Sequence, residues 1–227
     1  MATVYTSVLA DLGPRIVGGE LAAGTVMTLD DLRARYDVSR TVAREVVQVL
    51  ASMGLVESRR RTGIRVLEPR CWDHFAPAVI RWRLLGDGRD AHLHELSHLR
   101  TAVEPASAAL AAAEADDDQR AEVLRLAADL ERTGSAGDLR AFLEIDVAFH
   151  RLLLTASGNV MFGALGDVVE EVLRGRTDHD LMPPFPEPHA RALHAEVARA
   201  VAAGEVEAAE RAMHAICVEA DEAMREG

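Results

Sequence analysis

The sequence predicts a mostly α-helical protein in two parts: a small N-terminal domain of helices closed by a β-hairpin, then a larger all-helical antiparallel bundle. Three observations carry this prediction. Aromatic residues are only 4% of the 227 positions, while Ala, Leu, Glu and Arg, all good helix formers, abound. Apolar residues recur at three- and four-residue spacing through most of the chain, the helical period. The one pair of β-prone runs, residues 55–58 and 64–67, flanks a cationic tip that ends in Gly63. With 49% hydrophobic residues the chain has material for one large domain or two modest ones.

Residues 5–17 carry Val8, Leu9, Leu12, Ile16 and Val17 as a helical stripe that Gly18-Gly19 stops. Pro14 lies inside it and is expected to bend or restart the helix. Residues 21–27 read as a loop. Thr28 is a good N-cap for a short helix over 29–36, and Ser39 caps a third helix over 40–54 whose Val42, Val46, Val47 and Leu50 face inward. Two short helices joined by a tight turn make a helix-turn-helix. The hairpin follows, with Gly63 where the backbone calls for positive φ, so residues 1–70 read as a winged helix-turn-helix domain. Residues 71–89, with Trp72 and Trp82, read as a linker. From residue 90 to 227 the pattern predicts bundle helices over 91–115, 117–133, 138–157, 160–180, 187–203 and 205–225.

The formal net charge of −12 argues against a polyanionic partner until it is divided. Residues 1–70 hold ten Arg against eight acids, a net of +2, and the remaining residues carry −14. There is no Lys, so every cationic contact falls to guanidinium. The asymmetry implies a division of labour. Cys71 and Cys217 show no metal-type spacing, the Met1 end has no basic-then-apolar region, and no apolar run approaches ~18 residues. The expectation is a reduced, cytoplasmic protein with no membrane span.

On the third helix, Arg40 and Arg44 stand four apart near the N-terminal end, the part of a recognition helix that reaches base edges. Arg bidentate to guanine is the commonest specific contact, and Ser39 and Thr41 are short donors suited to phosphates. Arg60, Arg61 and Gly63 form the wing tip. The run Ser39-Arg40-Thr41-Val42-Ala43-Arg44-Glu45-Val46-Val47 resembles the recognition helix of the GntR family of bacterial transcription regulators. Leu50, Gly54, Leu55 and Gly63 also fall where that family has Leu, Gly, Leu and the wing Gly. Asp30 stands where the family commonly has Arg, so one expected DNA contact is missing.

The C-terminal part resembles the all-helical FCD effector domain of the FadR subfamily. Leu99-Arg100 with Glu104-Pro105, Asp146 with Phe149-His150, and the Ser157-Gly158-Asn159 turn carry the likeness. Asp146 and His150 are four apart on a helix with Ile145, Val147, Phe149, Leu152 and Leu153, so both can reach one cation on a largely buried face. The ordinary alternative is a helix-surface ion pair. The resemblance implies metal ligands at Asp146 and His150, a third at His194, ten residues before Gly204, and a fourth at Ile216, which is no ligand. His189 and His214 are the neighbouring histidines. The resemblance thus implies either a three-ligand divalent metal site, zinc being the candidate, or a metal-free pocket in which the same residues bind the effector directly.

An acidic effector needs a cationic anchor. Arg100, Arg174 and Arg176 are the candidates, with Asn159 placed to orient a hydroxyl, although Glu170 and Glu171 could simply pair with Arg174 and Arg176. The pattern is most similar to the repressors that answer to sugar acids such as galactonate and gluconate. The resemblance implies a homodimeric, ligand-responsive repressor that binds operator DNA and is released by a small carboxylate. The competing readings are a metal-dependent hydrolase or isomerase using the Asp/His site, and a DNA-binding protein whose bundle is purely structural.

Overall fold

The computed structural model describes residues 4–59, 63–178 and 188–226. The chain divides into two compact units, residues 1–89 and 90–227. Its element order is three helices and a short strand, a hairpin, one further helix, then seven helices.

In the first unit α1 (Val4–Val17), α2 (Leu29–Tyr36) and α3 (Arg40–Ser52) surround a core of Val8, Leu12, Ile16, Leu32, Val46 and Leu50. Thr28 caps α2 with a full capping box: its hydroxyl accepts from Asp31 N–H while the Asp31 carboxylate accepts from Thr28 N–H. Ser39 caps α3 by accepting from Val42 N–H at 3.2 Å. The helix α1 runs continuously through Pro14, so of the expected bend or restart the restart does not occur. Proline removes one N–H donor, and packing of the apolar stripe over Val8, Leu12 and Ile16 outweighs that loss.

The hairpin is β2 (Val56–Arg59) and β3 (Gly63–Val66), antiparallel, with Arg59 opposite Gly63. Gly63 has φ +96°, and an added Cβ would lie 2.7 Å from the Met27 carbonyl oxygen, so the position demands glycine on two counts. A third strand, β1 (Val26–Met27), pairs with β3 in the order β1-β3-β2, where the sequence reads as loop. Two residues are too few for alternation to register.

Residues 71–89 are not a free connector. After a 3₁₀ turn at Pro69–Cys71, α4 (Pro77–Leu84) lies on α1 and buries Val79 and Trp82 in the N-terminal core. The Trp82 indole covers Gly13, where any Cβ would come within 2.4 Å of the ring.

The second unit contains α5 (Arg89–Glu114), α6 (Asp117–Ala136), α7 (Leu139–Ala156), α8 (Val160–Gly163), α9 (Gly166–Asp178), α10 (Pro188–Ala203) and α11 (Val206–Glu226). Asp116 opens α6 with a second capping box, to Gln119, and Gly137 closes it in the left-handed conformation. The predicted helix over 160–180 is two helices, because Gly163 and Gly166 flank a break at residues 164–165. Helices α6 and α7, α6 and α10, α7 and α9, and α10 and α11 pack in pairs, and their short connections make sequential neighbours antiparallel. Leu130, Phe149, Leu153, Val197 and Met213 lie at the centre of this core. No helix among the described residues is long and apolar enough to cross a membrane.

Candidate functional sites

The N-terminal unit presents α3 with its apolar side down and its polar side out. Ala43, Val46 and Val47, which replace the more usual residues of the pattern, are buried, whereas Arg40, Thr41, Arg44, Glu45 and Gln48 are exposed. Arg40 and Arg44 therefore share the solvent face of the helix's first turns. Ser39 is also exposed, but its hydroxyl is engaged as the cap. On the wing, Arg59 pairs with Glu57 at 3.0 Å and Arg65 is exposed on β3, a cationic residue that the sequence reading passed over. Arg60 and Arg61 lie outside the described residues. Asp30, in the place of the missing Arg, pairs with Arg33 at 3.0 Å, so the start of α2 is acidic.

In the second unit, α7 and α10 bring Asp146, His150 and His194 together, all buried, at 8%, 2% and 5% exposure. Asp146 Oδ1 lies 3.1 Å from His194 Nε2 and 3.5 Å from His150 Nε2. Two ligands on one tetrahedral ion with bonds near 2.1 Å stand about 3.3 Å apart, so these separations bracket that value. The tutoring contacts behind the ligands fit as well. His194 Nδ1 lies 2.7 Å from the Ala190 carbonyl oxygen, which fixes Nδ1 as the donor and leaves the lone pair of a neutral ring on Nε2, facing a carboxylate. Two acceptors do not approach at 3.1 Å without a cation between them, a proton or a metal.

His150 makes the same point differently. Its Nδ1 is 2.5 Å from Glu104 Oε2, yet neither ring nitrogen has a hydrogen-bond partner of regular geometry, so His150 Nε2 is an orphaned buried atom aimed at the triad. Burial would lower the His150 pKa, but the Glu104 and Asp146 carboxylates outweigh it and hold it at about 9. Glu104 itself resists burial's upward pull through Arg100 and His150 and is held at about 2. Burial likewise opposes ionisation of Asp146, but the two histidines keep it well below the usual range. Asp146, His150 and His194 would hold a borderline divalent ion such as zinc, and Glu104 would orient His150 from behind. The sequence reading quoted Glu104 in the family motif but gave it no place at the site; its spacing of four from Arg100 was the available signal.

His189 is exposed at the start of α10 and His214 is exposed on α11, so neither joins the triad, while Ile216 is buried in the core. The four predicted effector residues separate by partner. Arg100 is buried and committed to Glu104, donating from Nε at 2.5 Å and from a terminal nitrogen at 3.3 Å. Arg174 forms a fork with Glu144 at 2.7 and 2.9 Å and also donates to Glu170 at 2.8 Å, a partly exposed ion-pair network. The Asn159 side-chain oxygen caps α8 by accepting from Met161 N–H. Arg176 differs: among the described residues no hydrogen bond or ion pair reaches its guanidinium, and its Nε is buried without a partner. Burial and the charge of Arg100 pull its pKa down to about 10, while Asp146 and Glu219 oppose them.

Comparison with known proteins places these features. Residues 4–66 match the family described as bacterial regulatory proteins, gntR family, and residues 95–218, more than half of the chain, match the FCD domain. The chain belongs to the GntR family. This GntR-family chain is 27% identical over 167 residues to the HTH-type transcriptional regulator YieP of Escherichia coli K12, covering 73% of each protein. It is 27% identical over 168 residues to the galactonate operon transcriptional repressor of the same organism, covering 74% of this chain and 72% of that one. Among solved structures, a Streptococcus agalactiae GntR protein matches with a TM-score of 0.53 and 25% identity over 96% of this chain and 99% of that one. The GntR-family chain is thus a transcription regulator with a winged helix and an FCD bundle, and the reading as a metal-dependent hydrolase or isomerase is set aside.

Proposed function

We propose that this GntR-family regulator is a homodimeric, cytoplasmic repressor that leaves its operator when a sugar-acid carboxylate of the galactonate or gluconate class binds in the bundle beside a divalent metal. The observation that carries the reading is the half-buried Arg176, whose Nε is buried with no hydrogen-bond partner among the described residues. Arg100, Arg176 and the protonated His150 carry three positive charges against the three formal negative charges of Glu104, Asp146 and Glu219. A divalent cation on Asp146, His150 and His194 displaces the His150 proton and turns that balance into a surplus of one, which a carboxylate neutralises. Arg176 supplies the bidentate donors that a carboxylate takes, and a buried Nε–H without an acceptor is a costly group that a bound carboxylate would satisfy. The likeness to a galactonate operon repressor supports the sugar-acid class.

DNA binding falls to Arg40, Thr41 and Arg44 on α3, with Ser39 capping that helix, to Gly63 of the wing, and to Arg60 and Arg61, which precede it in the sequence. Dimerisation sets two such units on a pseudo-palindromic site. The effector acts by a coupling free energy of about 1–3 kcal/mol, a 5- to 150-fold change in DNA affinity. The test is fluorescence anisotropy on the DNA upstream of the chain's own gene, with a thermal-shift screen of sugar acids with and without zinc. Release of DNA by a sugar acid that also raises the melting temperature, both lost in Arg176→Ala, is the expected result. Indifference of DNA affinity and melting temperature to every sugar acid overturns the effector class.

A further inference from the structure

The geometry points to a second transition-metal site, on the surface of the bundle, formed by His94, His98 and Asp221. His94 and His98 stand one turn apart on α5, with ring centroids 4.1 Å apart and planes inclined at 57°. Asp221, on α11, brings Oδ1 to 3.1 Å from His94 Nδ1. One ligand atom from each of the three lies within 4.8 Å of the others. Among the described residues only the buried Asp146 triad is grouped in the same way.

A simple ion pair explains the contact of His94 with Asp221 and leaves His98 without a purpose. Two imidazoles held this close repel when both are protonated, whereas a cation between them turns the approach into shared coordination. The 3.1 Å separation is within a few tenths of an ångström of the ~3.3 Å that ligands of one tetrahedral zinc keep. Two nitrogens and one oxygen form a borderline donor set that selects zinc, nickel or copper(II) over magnesium or calcium. Burial separates this site from the Asp146 triad. His98 is exposed, and His94 and Asp221 are half-buried, so the remaining coordination positions open to water or to an exogenous ligand. Occupancy would tie the end of α11 to the N-terminal half of α5, the first bundle helix after the winged-helix unit.

The proposal stands independently of the effector reading, and its experiment separates the two. Tag-free, chelator-stripped full-length protein is titrated with zinc against a chromogenic chelator, beside His98→Ala and His150→Ala. His98→Ala binds one zinc equivalent fewer than the natural chain whatever the buried triad holds, with unchanged far-UV circular dichroism because His98 is exposed. Copper(II) bound at this site shows a two-nitrogen superhyperfine pattern in His150→Ala, which drops to one nitrogen in His98→Ala/His150→Ala. Equal zinc stoichiometry and affinity in the natural chain and His98→Ala overturns the site. So does an absence of bound copper nitrogen signals in His150→Ala.

Discussion

Replacing Glu104 by Gln removes one buried negative charge while keeping shape and an acceptor for Arg100. Glu104 is 2% exposed and lies between Arg100 Nε and His150 Nδ1, at 2.5 Å from each. With the carboxylate gone, two buried cations lose their compensation. Breaking a buried pair from one side costs about 3–5 kcal/mol, and the acceptor retained in Gln argues for the lower end, about 3 kcal/mol in the metal-free protein. For a unit of this size that is a fall of roughly 6–12 °C in melting temperature. The sharper consequence is in zinc binding. Zinc competes with the proton on His150, which is held until about pH 9, so affinity in the natural chain rises about tenfold per pH unit from neutrality towards that value. In Glu104→Gln burial is opposed by Asp146 alone, His150 loses its proton at lower pH, and the rise ends correspondingly earlier. At about pH 9.5, where proton competition has ended in both proteins, the variant binds zinc about 10- to 100-fold more weakly, because His150 has lost its orienting carboxylate. Zinc competition titrations from about pH 6.5 to about pH 9.5, with histidine titration by NMR, measure both effects. A natural chain whose zinc affinity is flat over that range, or a variant that keeps the same profile, would refute the coupling of Glu104 to His150.

Three further outcomes follow from the same contacts. Arg44→Ala weakens operator binding by about 1–3 kcal/mol, some 5- to 150-fold, without altering helicity, since the side chain is exposed; anisotropy against operator and scrambled DNA checks it, and equal losses on both sequences contradict base readout. Gly13→Ala forces a methyl to within 2.4 Å of the Trp82 ring and destabilises the N-terminal unit by about 1–3 kcal/mol in denaturant titrations followed by tryptophan fluorescence, whereas a free linker over residues 71–89 predicts no loss. The metal-free protein has its stability plateau between about pH 4.5 and pH 6.5. Above it, the contribution of His150, fully present below its ordinary value of 6.5, is lost as pH rises through about 9; below it, the contribution of Glu104, present above 4.5, is lost as pH falls through about 2. Melting curves with and without zinc test this, and an alkaline decline that zinc leaves unchanged removes His150 from the account.

Much of the fold was legible because its causes are local. Thr28, Ser39 and Asp116 terminate helices with hydrogen bonds that span three residues, and the apolar period of each helix lies within its own sequence. Where the reading failed, the deciding contact came from elsewhere in the chain. Strand β1 exists because β3 offers it an edge, α1 continues through Pro14 because its buried stripe is packed, and α4 joins the N-terminal unit because Gly13 leaves room for Trp82.

The same division holds for the sites. Sequence alone determined which residue types stand at which helical spacing: Arg40 with Arg44, Asp146 with His150, and Arg100 with Glu104. It placed Arg100 first, on the family motif, and left Arg174 and Arg176 to pair with Glu170 and Glu171, because only spacing along the helix is visible in one dimension. Tertiary structure commits Arg100 to Glu104 and Arg174 to Glu144 and Glu170, and leaves Arg176 half-buried with its Nε unpartnered among the described residues. The physical reason is that an ion pair is a property of two side chains and the dielectric around them. Spacing along one helix fixes reach, but burial and the neighbouring helix fix which charge is satisfied and which is left for a ligand.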